Sequence, residues 1–208
     1  AIGFQAMVAN TTGTENVAVG SNAFDANTTG NNGIAVGHQA LSANTTAHYN
    51  SALGAYALKV STTGASNTGV GAYALTANTT GTQNTAVGAF ALDAITTGSD
   101  NTAVGHNALT ANTASDNTAV GKGALNSNTT GTYNTAVGQS ALSDNTTTNH
   151  STAVGYNCLG SNTTGDANTA VGSRALDANT TGYANVAIGH DAMGAATTGD
   201  RCIGIGTY

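Results

Sequence analysis

A glycine follows a small–aliphatic pair at a nearly constant interval along the whole chain. These glycines are Gly3, Gly20, Gly37, Gly54, Gly71, Gly88, Gly105, Gly121, Gly138, Gly155, Gly172, Gly189 and Gly206. The step is 17 residues, except for 16 between Gly105 and Gly121, where the usual Thr-Thr-Gly becomes Thr113-Ala114. A period in this range marks a repeat architecture, in which one short unit stacks on its neighbours. Counted from the residue two before each glycine, the repeat reads A-V-G-x-x-A-L-x-A-N-T-T-G-x-x-N-T. The missing residue must lie in a turn, because a deletion inside a strand would move every later side chain to the opposite face.

The repeat favours β structure. Thr and Val are strand formers, and Gly and Asn punctuate the chain too often for a helix of ordinary length. The short segments NTAV, ALxA and NTT read as strands, with the glycines at positions three and thirteen as bends. The expected fold is all-β: a single-chain β-solenoid, or β-roll, of about twelve 17-residue rungs, forming one continuous domain over residues 1–208. Rungs spaced by about 4.8 Å would stack like residues into ladders, Asn ladders among them. Strand alternation leaves two arrangements open. Either Val and Leu fill the interior and two Ala columns face out, or Ala lines a narrow interior and an aliphatic stripe faces out. Either exposed column favours a packed oligomer.

Composition narrows the function. Of 208 residues, 28 are Gly, none is Pro or Trp, and 7% are charged, against about 25% in ordinary domains. Four Lys and Arg residues and a net charge of −6 do not make a nucleic-acid surface, which needs clustered cations. No apolar run is long enough for a membrane-spanning helix. The chain starts and stops within the repeat, so it reads as a segment of a longer fibre chain, or one that stacks end to end.

The variable positions four, five, fourteen and fifteen carry most of the charged and aromatic residues. Tyr56, Tyr73, Phe90, Tyr133, Tyr156 and Tyr183 are the candidate surface contacts, since aromatics favour sugar and protein faces. His38, His106 and His190 share position four but are four to five rungs apart, about 19–24 Å at the usual strand spacing. They therefore cannot share a metal. The ten carboxylates are scattered over turns, and no pairing suggests acid–base chemistry. No catalytic residue, metal site or cofactor is expected. Asn10, Asn27, Asn44, Asn78, Asn128, Asn145, Asn162 and Asn179 each precede Thr-Thr, and Asn149 precedes His-Ser, so all nine are N-glycosylation candidates. The Thr column at position eleven, from Thr11 to Thr197, resembles in composition the water-ordering arrays of ice-binding proteins. Cys158 and Cys202 lie in different columns, two rungs apart, too far for an intrachain disulfide.

The strings at Asn84–Gly88, Asn101–Gly105, Asn117–Gly121 and Asn185–Gly189 resemble the head repeat of YadA-like trimeric autotransporter adhesins. The full unit also resembles repeats in phage tail-fibre proteins and bacterial surface fibres. The resemblance covers essentially the whole chain, though this period is longer than the adhesin head's. It implies a left-handed roll trimerised about a long axis. It also implies a non-enzymatic, structural or adhesive extracellular fibre segment on a cell surface or virion tail. The implied partners are other copies, as a homotrimer or end-to-end filament, and cell-surface glycans or matrix proteins. Host-glycan binding by a phage tail fibre and ice binding by the Thr ladder are the alternative functions.

Overall fold

The structure, a computed structural model, describes residues 1–207. It is an all-β solenoid with about 17 residues per rung and no helix among the described residues. The chain forms two compact units, Ala1–Asn101 and Thr102–Tyr208. The first holds β1 (Val17–Val19), β2 (Ile34–Val36), β3 (Ser51–Leu53), β4 (Thr68–Val70) and β5 (Thr85–Val87). The second holds β6 (Thr102–Val104), β7 (Thr118–Val120), β8 (Thr135–Val137), β9 (Thr152–Val154), β10 (Thr169–Val171), β11 (Val186–Ile188) and β12 (Ile203–Ile205). Within each unit, consecutive strands pair in parallel, with each repeat position opposite its own copy: Thr68 faces Thr85 and Ala136 faces Ala153.

Only the Thr-Ala-Val segment is a strand. The expected strand ALxA is instead a run of turns. Its backbone enters the left-handed region at positions five and seven, as at Phe90 (φ 57°) and Leu92 (φ 51°). Position fifteen does the same, as at Asp100 (φ 60°). This conformation costs an L-residue roughly 1–2 kcal/mol. At position seven, full burial of the leucine contributes about 1.5–3 kcal/mol in return, as for Leu75 and Leu92. The backbone N–H is satisfied as well, with Leu75 donating to the Ala91 carbonyl of the next rung at 3.0 Å.

The interior is a composite of the two arrangements open to the sequence. In the strand, Ala86 is buried while Val87 faces out. In the turn, Ala91 and Leu92 are both buried, because the left-handed residue breaks the alternation that would send one of them outward. A thin core of Ala and Leu columns results, and the aliphatic stripe outside is the position-two column, mostly Val with Leu53 among them, while the position-seven leucines stay inside.

Within each unit, an interior rung is wired to both neighbours. Gly88 and Phe90 donate to the preceding rung, at the Val70 and Ala72 carbonyls, 2.7 and 3.0 Å away. Thr85 donates to the following rung, at the Asn101 carbonyl, at 2.8 Å. The position-three glycine is required twice over. Gly54 has φ 140°, and a Cβ there would lie 2.5 Å from the Gly71 carbonyl oxygen.

Variations in the repeat are compensated locally. Phe24 replaces the core leucine, and its ring occupies the space that a Cβ at Gly33 would enter, 2.5 Å from the ring carbons. Every other repeat that includes this position carries Asn or Ser there, except the last, which has Cys202. The 16-residue rung keeps its strands in register, Thr102 opposite Thr118. Its deletion falls in the corner after Asn112, as anticipated. There Asn112 Nδ2 donates to the Ala114 carbonyl at 2.9 Å, replacing the bond other rungs make to glycine thirteen.

Two substitutions test these constraints by urea denaturation. Gly54→Ala lowers stability by at least about 1–3 kcal/mol through backbone strain alone; an unchanged midpoint would contradict the close approach. Gly33→Asn destabilises by about 1–3 kcal/mol through overpacking. Adding Phe24→Leu to it should recover most of that loss, which a double-mutant cycle measures as coupling.

Candidate functional surfaces and the asparagine columns

Two asparagine columns run through the interior. At position ten the amides form a head-to-tail chain. Asn27 Nδ2 donates to Asn10 Oδ1 at 2.8 Å, and Asn44 Nδ2 to Asn27 Oδ1 at 3.1 Å. In the second unit, Asn128 bonds Asn112 at 2.7 Å and Asn145 bonds Asn128 at 2.8 Å. Most of these amides also close their own corner, as Asn78 Nδ2 does on the Gly81 carbonyl at 3.1 Å. Asn145 also accepts from the Thr148 hydroxyl. At position sixteen the side chains bond both ways. Asn84 donates its backbone N–H to Asn67 Oδ1 at 3.0 Å and its Nδ2 to the Gly98 carbonyl at 2.8 Å.

Two breaks in the position-ten column leave a recognisable scar, whereas at Ser61 the preceding Asn44 Oδ1 accepts from Asn50 Nδ2 at 3.3 Å. Ile95 and Ala196 follow Asn78 and Asn179 in that column. The Oδ1 atoms of Asn78 and Asn179 are the two asparagine oxygens buried without a partner among the described residues. A buried acceptor left bare costs about 1–3 kcal/mol. The rung therefore folds without Asn at this position, but the preceding rung loses a bond.

This geometry corrects the glycosylation reading. Asn27, Asn44, Asn78, Asn128, Asn145, Asn162 and Asn179 are fully buried, and their Nδ2 atoms donate inside the protein. A glycan on any of these nitrogens is incompatible with the folded rung. Asn10 and Asn149 are half-buried; Asn149 Oδ1 accepts from the Thr132 N–H and hydroxyl, both at 2.9 Å.

The position-eleven threonines are also committed. Thr28, Thr62, Thr129 and Thr163 each donate their hydroxyl to the next rung's threonine carbonyl, at 3.0, 3.1, 2.9 and 3.1 Å. Each hydroxyl proton is thus engaged by the next rung, while side chains such as Thr129 remain exposed.

The six candidate contact aromatics divide into three settings. Tyr56, Tyr73 and Phe90 stack through position five of successive rungs, with ring centroids 4.9 and 5.1 Å apart. His38 packs edge-on against Tyr56, and Lys59 Nζ lies 5.3 Å from that ring's centroid. These rings cover one another's faces and present mainly their edges. Tyr133 is stacked on His150 at 5.2 Å, and Tyr183 lies under the Arg201 guanidinium at 5.1 Å. Tyr133 and Tyr156 are the most exposed of the six, at 57% and 54%. Tyr49, not among the candidates, is 63% exposed at the same repeat position as Tyr133. Position alone could have found it.

Charged chemistry is sparse. Arg174 and Asp191 occupy position five of adjacent rungs and meet at 2.6 Å, with Asp177 3.8 Å from the same nitrogen and His190 Nδ1 3.1 Å from Asp191. They edge an open hollow of about 480 Å³ lined also by Asn157 and Ser161. The one guanidinium lies between two carboxylates, so the hollow's cation is already paired and offers no free positive charge to a ligand. The grouping was readable as opposite charges at one repeat position in successive rungs. Burial raises the pKa of Asp93, opposed by hydrogen bonds from its own N–H and that of Ala94. No cluster of three metal-ligating side chains occurs among the described residues. Both cysteines are free. Cys158 is buried and donates to the Ala170 carbonyl at 3.2 Å, and burial pushes its thiol pKa up to about 12.

Three measurements follow from this geometry. Ala196→Asn should supply the donor that Asn179 lacks and stabilise by about 0.5–1.5 kcal/mol. Asn128→Ala should cost about 1–3 kcal/mol for each buried group it leaves unpaired. Both are read from denaturation midpoints. In the native protein at pH 8 a thiol reagent should modify exposed Cys202 and spare Cys158, because the thiolate is the reacting form; equal labelling would contradict the buried, protonated thiol. Peptide mapping after expression in a glycosylating host should find sugar only at Asn10 or Asn149, and a glycan on Asn128 in folded protein would contradict the buried column. No family model, curated protein or solved structure matches the chain.

Proposed function

We propose that this chain is a structural segment of an extracellular fibre, non-enzymatic and built to hold its variable corners at regular intervals. One observation carries the proposal: the bonds that run from rung to rung are doubled by side chains. Within each unit the backbone of an interior rung bonds both neighbours, and the Asn columns and the position-eleven hydroxyls add further links in the same direction. Such wiring resists separation of rungs, as a load-bearing spacer must, and it leaves positions four, five, fourteen and fifteen free to vary. Tyr49, Tyr133 and Tyr156 are the best placed of the exposed aromatics for weak contacts with glycans or matrix proteins, since one contact repeated along a fibre gains by multivalency. The resemblance to adhesin heads and tail fibres supports the same reading.

Antibodies raised against the folded chain should decorate filaments on intact cells or virion tails in immunogold microscopy. Labelling confined to the cell interior would refute the proposal. On a glycan array, Tyr133→Ala together with Tyr156→Ala should weaken binding more than Tyr56→Ala with Tyr73→Ala, whose rings are engaged with each other.

A further inference from the structure

The outward face of the strands carries a pattern that the fibre reading does not use. In β6 to β10 every strand is Thr-Ala-Val, and the parallel pairings hold Thr over Thr and Val over Val without a slip. The alanine points inward, so Thr and Val, two residues apart, both point out. The exposure of the valines is nearly constant, at 36, 36, 37, 36 and 38% for Val104, Val120, Val137, Val154 and Val171. The hydroxyls of Thr102, Thr118, Thr135, Thr152 and Thr169 make no hydrogen bond within the protein among the described residues, unlike those at position eleven. No charged residue lies in these strands or in the glycines that follow them. The result is a two-column lattice of hydroxyls and methyls repeating at about 4.8 Å along the stack and ~6.6 Å across it.

We infer that this Thr/Val face is an ice-binding surface. Its two repeats are close to those of oxygen atoms on a face of hexagonal ice. Methyl groups favour cage-like water around themselves, and hydroxyls at fixed spacing anchor that water in register. A charged side chain would disrupt such a layer, and the face has none. A second copy of the chain is the competing occupant. Five strands offer a strip of about 24 Å by ~7 Å, a small fraction of the roughly 800 Å² per partner that a stable interface covers. Ice, by contrast, is held by many weak contacts to a surface that does not diffuse away.

The test is thermal hysteresis and ice-crystal shaping by the whole chain, with Thr135→Lys and Val137→Lys on the face and Thr164→Lys at an exposed position outside it. Circular dichroism melting of each variant controls for folding. The wild type should shape ice and show hysteresis. Each face variant should lose it several-fold with unchanged melting, and Thr164→Lys should retain it. Absence of hysteresis in the wild type, or its survival in both face variants, overturns the inference. So does sedimentation showing self-association that Thr135→Lys abolishes, which would assign the face to a partner copy. Loss of ice binding would leave the fibre proposal untouched, because that rests on the wiring between rungs and is read by immunogold labelling.

Discussion

Each rung must present donors and acceptors to the rung on either side, and it can do so only if the backbone has nearly the same conformation at each position every time. Gly88 and Phe90 reach back while Thr85 reaches forward, so a rung that changed shape would fail both neighbours at once. This explains why a chain with so little large apolar mass folds. Stability is a sum of nearest-neighbour terms, and each term is a belt of directional bonds closed over a narrow apolar filling.

The same constraint accounts for features that would be liabilities in a globular domain. Leucine in the left-handed region is costly in isolation, yet it recurs at position seven from Leu41 through Leu176. It lets two consecutive residues, such as Ala91 and Leu92, face inward and supply the core from a single turn. Where a larger side chain enters, the neighbouring position gives way. Gly33 makes room for Phe24, and Gly204 does the same for Met193. Where a residue is lost, a corner absorbs it and the strands on either side keep their partners.

The period, the parallel stacking of like positions and the corner placement of the deletion were all legible in the spacing of the glycines. The inside and outside of the rung were not. Alternation was the available rule, and it holds for Thr85-Ala86-Val87, but it cannot apply to a segment such as Phe90-Ala91-Leu92 whose backbone changes hand twice. Asn, Asp and Ser at positions five and fifteen were a hint of left-handed backbone, whereas leucine at position seven gives none. The glycosylation motif misled for a related reason. A sequon states which residues are adjacent in the chain, and says nothing of Asn128 pointing into a column of its own kind. The aromatic ladder was half legible: the shared position of Tyr56, Tyr73 and Phe90 was visible, but that they would engage one another depended on the rung spacing.

The position-ten asparagines have a direction. Every amide in a run hands its N–H to the oxygen of the preceding one, so all the dipoles in that run point the same way along the stack. No single amide can rotate by half a turn without setting oxygen against oxygen on one side and N–H against N–H on the other. Orientation is thus a property of the run and is decided once for all its members. Ser61 ends the run Asn10–Asn27–Asn44, and Ala196 ends the pair Asn162–Asn179. The interior is therefore polarised in segments, closed where asparagine is omitted, as at Ser61, or where a hydroxyl takes the acceptor, as Thr148 does at Asn145.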